Sequence, residues 1–76
     1  MALTAQEFKT LQFLVRNPDR VISRDELLKE VWGHQNYLST RTVDNYILRL
    51  RQKLDRDIAK PLHFRTVHGM GYKFVH

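Results

Sequence analysis

Residues 39–54 read STRTVDNYILRLRQKL, and the periodicity of this stretch decides the fold. At 100° per residue, Ile47, Leu50 and Leu54 fall within about 40° of Val43, which makes the narrow apolar stripe of an amphipathic helix. Ser39 or Thr40 can cap its start, so the spacing predicts a helix over about 41–56. The opposite side carries Arg41, Asn45, Leu48, Arg49 and Gln52. These side chains can read base edges: Arg pairs bidentately with guanine, Asn or Gln with adenine, and an aliphatic group meets a thymine methyl. Arg51 and Lys53 emerge on the flanks, where they can meet phosphates. The plain alternative is a solvated helix face, but Leu48 is an odd member of such a face and suits a contact surface.

Upstream, Thr4 and Glu7 form a capping box ahead of Phe8, Leu11, Leu14 and Val15, which predicts a first helix over about 5–16 that stops at Asn17-Pro18. Arg20-Val21-Ile22 is a short extended piece. Ser23 and Glu26 repeat the capping box before Leu27, Leu28, Val31 and Trp32, and Gly33 suits the helix end, so a second helix is expected over about 24–32. Downstream, Leu62 to Thr66 and Tyr72 to Phe74 alternate apolar with polar around two glycines, Gly69 and Gly71, which predicts a hairpin over about 62–75. Its packing side is expected to carry Leu62 and Phe64 opposite Tyr72 and Phe74, with Arg65 and Lys73 on the outer side. The fold class is mainly α with a small β-hairpin, a three-helix winged helix-turn-helix in one domain, 1–76.

A chain of 76 residues with 42% hydrophobic and 28% charged side chains has the composition of a folded domain, too small for a large substrate cleft. Without cysteine it has no disulfide, no thiolate nucleophile and no cysteine zinc site. The histidines His34, His63, His68 and His76 form no helical i, i+4 pair, and no nucleophile elbow or phosphate-cradling glycine motif is present. No catalysis, metal or cofactor is expected. The net charge of +5 lies wholly in the second half: basic and acidic residues cancel over 1–38, whereas Arg41, Arg49, Arg51, Lys53, Arg56, Lys60, Arg65 and Lys73 outnumber Asp44, Asp55 and Asp57. So lopsided a charge suits a polyanion partner. Apolar runs are far too short to span a membrane, and no signal-peptide layout opens the chain, so a cytoplasmic protein without membrane contact is expected.

The blocks Leu3-Thr4, Glu7-Phe8 and Leu11, then Val21-Ile22-Ser23-Arg24, Leu27-Leu28 and Val31-Trp32-Gly33, then Arg41-Thr42-Val43-Asp44, Ile47, Leu50-Arg51 and Lys53-Leu54, and finally Thr66-Val67, Gly69, Gly71-Tyr72 and Phe74 together resemble the effector domain of OmpR/PhoB-type bacterial response regulators. The resemblance implies sequence-specific binding of double-stranded DNA and control of transcription in a two-component system, with the protein associated with the nucleoid when bound. It implies that the third helix enters the major groove and the hairpin wing the minor groove. It also places Arg41, Tyr46, Leu48, Arg49 and Arg51 toward DNA, and Thr66, His68 and Gly69 around the wing. The loop 34–38 is implied to touch RNA polymerase, and two copies of the full-length protein to bind repeated half-sites as a dimer.

The sequence departs from the family pattern in several places. Met1-Ala2 cannot supply the small antiparallel sheet that precedes the first helix in the family, so that sheet is expected to be lacking, and no receiver domain is expected within these 76 residues. His68 stands where the family often carries Arg, and Leu48 at a frequently basic position. The rival reading is a winged-helix protein-interaction module whose basic face docks an acidic partner. RNA binding would want exposed aromatics for stacking, and the outward helix face has none.

Overall fold

The computed structural model describes residues 2–33, 39–55 and 63–75. It contains helix α1 (Ala5–Arg16), helix α2 (Arg24–Leu27) running on as a π-helical segment (Leu28–Trp32), helix α3 (Thr40–Leu54), and strands β1 (Phe64–Val67) and β2 (Gly71–Phe74). The expected positions at loop 34–38, Arg56, Lys60, Leu62, His34 and His76 lie outside the described residues.

The capping box of α1 is complete: the Thr4 hydroxyl accepts from the Glu7 amide at 3.1 Å, and the Glu7 carboxylate accepts from the Thr4 amide at 2.8 Å. At α2 only half of the second box forms. The Ser23 hydroxyl accepts from the Glu26 amide, but the Glu26 carboxylate pairs with Arg20 at 2.8 Å instead of turning back. The expected continuous α-helix over 24–32 also gives way to wider π-helical turns from Leu28, a local rearrangement of the hydrogen-bond ladder that carries Val31 and Trp32 against the core. Gly33, at a φ of 73°, ends it. Ser39 occupies the N-cap position of α3, yet its side chain makes no capping bond.

The core is small and gathers one side of each element: Leu14, Ile22, Leu27, Val43, Ile47, Leu50, Phe64 and Tyr72. Two expectations for core positions need correction. On α1, Phe8 is 53% and Val15 41% exposed, and the buried face is built from Glu7, Thr10 and Leu14. The polar pair can be buried because each is satisfied: the Thr10 hydroxyl donates to the Gln6 carbonyl at 2.9 Å, and Glu7 meets both Thr4 and Lys53. On α3, Val43, Ile47 and Leu50 are fully buried as the stripe predicts, whereas Leu54 in the last turn is 40% exposed.

β1 and β2 pair antiparallel, with Phe64 opposite Phe74, Arg65 opposite Lys73, Thr66 opposite Tyr72 and Val67 opposite Gly71. The ring of Tyr72 therefore faces Thr66 across the ladder, while Phe64 packs on Phe74 at 5.5 Å between centroids. The extended piece before α2 joins this hairpin: Ile22 and Tyr72 exchange both backbone hydrogen bonds, at 2.8 and 2.9 Å. Gly71 makes the approach possible, because a Cβ there would lie 2.0 Å from the Ile22 carbonyl oxygen. Asp55, buried just past α3, accepts from the His63 and Phe64 amides at 3.1 and 3.3 Å and so anchors the start of β1.

Candidate nucleic-acid interface

The burial of Val43, Ile47 and Leu50 turns the other side of α3 outward. Arg41, Asn45, Leu48, Arg49 and Gln52 are all exposed, Leu48 at 43%. Tyr46 sits on the border, half-buried, with its ring edge-on to Trp32 at 5.1 Å and the Arg49 guanidinium 4.7 Å above it. A guanidinium lying over a ring gains about 0.5 to 1 kcal/mol at an exposed site. Its N–H donors lie in the guanidinium plane, so a covered face leaves them free to form a fork. Trp32, Tyr46 and Arg49 thus form a ladder that rises from the core to the outward face.

The two flanking cations are engaged within the fold. Arg51 donates from Nε to the Phe64 carbonyl at 2.8 Å and from Nη2 to the Thr66 hydroxyl at 2.6 Å, and its guanidinium lies 5.7 Å from the Tyr72 ring. Lys53 reaches toward α1, where Nζ meets the Glu7 carboxylate at 2.7 Å and the Ala2 carbonyl at 3.1 Å. Lys53 is therefore not brought together with the outward group. The hydrogen bond from Lys53 and that from the Thr4 amide outweigh burial and hold the Glu7 carboxyl below its ordinary value of 4.5.

At the hairpin, Thr66 is exposed and tied to Arg51, while His68 and Gly69 are exposed at the tip, where Gly69 takes a φ of 75°. Beside them Met70 is 63% exposed, an apolar side chain at the tip that the sequence reasoning passed over, although its place between two glycines marked it as a turn residue. A cleft of about 460 Å³ separates this tip from the starts of α2 and α3, with Arg24, Thr40 and Asp44 among the residues that line it. Asp44 works in that cleft as an organiser. Its Oδ2 accepts from Arg24 at 2.9 Å, and its Oδ1 accepts from the Tyr72 hydroxyl at 2.5 Å. Burial, followed by the neighbouring Asp44 carboxylate, pushes the Tyr72 phenol up to about 12. Asp44 thus holds Arg24, 20 residues upstream, as well as Tyr72, and nothing local in the sequence pairs either with it.

The sequence matches the family "Transcriptional regulatory protein, C terminal" over residues 1–74. The chain belongs to this family of transcriptional-regulator C-terminal domains. It is 53% identical over 72 residues to the uncharacterized transcriptional regulatory protein YclJ of Bacillus subtilis, covering 95% of this chain and 31% of that protein. The chain thus spans about a third of the length of that relative. The transcriptional-regulator fold is also that of two solved structures. The DNA-binding domain of Klebsiella pneumoniae RstA, in complex with the RstA box, superimposes with a TM-score of 0.83 at 35% identity, over 97% of this chain and 73% of that one. The response regulator DrrB of Thermotoga maritima, an OmpR/PhoB homolog, gives 0.90 at 35% identity, over 99% of this chain and 34% of that one. The winged-helix architecture and the OmpR/PhoB resemblance read from the sequence both stand.

Proposed function

We propose that this domain binds double-stranded DNA sequence-specifically as the effector of a two-component response regulator and so controls transcription. One observation carries the reading: α3 keeps Arg41, Asn45, Leu48, Arg49 and Gln52 outward, none of them needed by the core. Family membership and the RstA domain bound to its box support it. In this reading α3 lies in the major groove, with Arg49 as the bidentate reader presented by Tyr46 and Leu48 as the apolar contact. The wing tip, His68 and Gly69, reaches the adjacent minor groove. Loop 34–38 is assigned to RNA polymerase, and two full-length copies to repeated half-sites. The role is binding rather than catalysis. Among the described residues no helix is long and apolar enough to cross a membrane.

The test is a salt titration on a random duplex and on one selected from a random pool. Affinity for both should fall with salt with a slope of about −0.9 per phosphate contact, and the selected duplex should keep an advantage of about 10³-fold or more. A domain that binds neither duplex at low salt, yet captures an acidic protein, is a protein-interaction module instead.

A further inference from the structure

Asp55 holds the start of β1 from just past α3 and Ile22 pairs with Tyr72 through the backbone; within α3 itself, two more polar side chains reach the wing. Arg51 reaches out of the last third of α3 and donates to the Phe64 carbonyl and the Thr66 hydroxyl on β1, while its guanidinium faces the Tyr72 ring on β2. One side chain therefore touches both strands. Seven residues earlier on the same helix, about 10 Å along its axis, Asp44 accepts from the Tyr72 hydroxyl. A single attachment would fix only a distance. Two attachments separated along one axis also restrain the angle of the wing to α3, beside the anchors at Asp55 and Ile22.

We propose that Arg51 is a positioning residue for DNA recognition, which sets the offset of the wing tip from the outward face of α3. The proposal rests on the DNA-binding reading above and deepens it. It differs from the expectation that Arg51 meets a phosphate, because Nε and Nη2 are already committed to the wing. Recognition of two adjacent grooves by two rigid elements requires their spacing to match the duplex, and a wing free to swing would lose order each time it docked.

Lysine separates the two roles. Arg51→Lys keeps the positive charge but has no planar fork with which to hold the carbonyl and the hydroxyl together. The DNA-free domain is labelled with ¹⁵N, and residual dipolar couplings are measured for the amides of α1, α3 and the hairpin. The wild type should fit one alignment frame throughout. In Arg51→Lys the hairpin couplings should leave that frame while the pairing of β1 with β2 persists. On the selected duplex, hydroxyl-radical protection at the minor-groove flank should be lost while guanine protection in the major groove remains. Hairpin couplings that still fit the frame, with a wild-type footprint, would overturn the proposal and return Arg51 to the phosphates. Should Arg51→Lys not fold, Thr66→Val removes one of the two hydrogen bonds and leaves the helix untouched, and a hairpin still locked in the wild-type frame would sink the idea equally. A wild-type domain that protects no duplex ends the DNA-binding reading, and the role of Arg51 with it, whatever the couplings show.

Discussion

Arg49 stands over the Tyr46 ring on a face that the core does not use, so its truncation should spare the fold and remove one base contact. Arg49→Ala is expected to cost about 1 to 3 kcal/mol, concentrated at a single base position, as read by binding to a series of singly substituted duplexes. Equal loss on every sequence would make it a phosphate contact. Leu48 has only apolar contact to offer, so Leu48→Ala should erase a preference for thymine over uracil at one position, and a variant that keeps this preference rules the contact out. Glu7 gives a test of pH. Its carboxyl is held below 4.5 in the folded state, so the unfolded chain takes up the proton first as pH falls, and the stabilisation is present above about 4.5 and lost through the lower folded-state value. Thermal unfolding should find wild type more stable than Glu7→Gln at pH 7, with the gap closing below about pH 4.5. Single residues of this kind were the least legible in the sequence. The outward set on α3 followed from periodicity alone, but Arg51, Lys53 and Asp44 found partners 13 to 51 residues away, and local spacing carries no signal for those.

The elements themselves could be read where the apolar period and the caps agreed. α1 has a complete capping box and a stop at Asn17-Pro18, and α3 has an uninterrupted stripe, so both were legible almost to the residue. The inner face of α1 was not, because periodicity assumes that burial follows hydrophobicity, whereas paired Glu7 and Thr10 took the interior and left Phe8 outside. The π-helical turn after Leu27 was equally hidden, since the residues that widen a helix are those that also propagate one. In the hairpin the two glycines carry different burdens. Gly69 has a φ of 75° and open space around it, so Gly69→Ala should cost about 1 kcal/mol of backbone strain. Gly71 has a φ of 147°, and an added Cβ would meet the Ile22 carbonyl carbon and oxygen. Gly71→Ala must part β2 from Ile22 and should cost at least about 2 kcal/mol in urea unfolding. Equal costs for the two would show that the Ile22 contact adds nothing.

On the scale of the whole molecule, eight buried apolar residues form the core among the described residues, and a domain of this length has about 4 to 11 kcal/mol of stability to lose. Ile47 is fully buried at its centre, so Ile47→Ala should cost about 2 to 5 kcal/mol and lower the melting temperature by about 8 °C or more, read from helical circular dichroism. If the melting temperature holds, the stability comes from elsewhere. The pairing of Ile22 with Tyr72 bears on how the molecule is made. It closes a loop of about 50 residues, at an entropic cost of about 3.5 kcal/mol beyond the fixed term of loop closure. Translation delivers Ile22 long before Tyr72, and until residues 71–75 have cleared the ribosome, the extended piece before α2 has no strand to pair with and the buried cluster lacks Tyr72. The nascent helices must wait with apolar faces open, an interval that ends when the wing arrives.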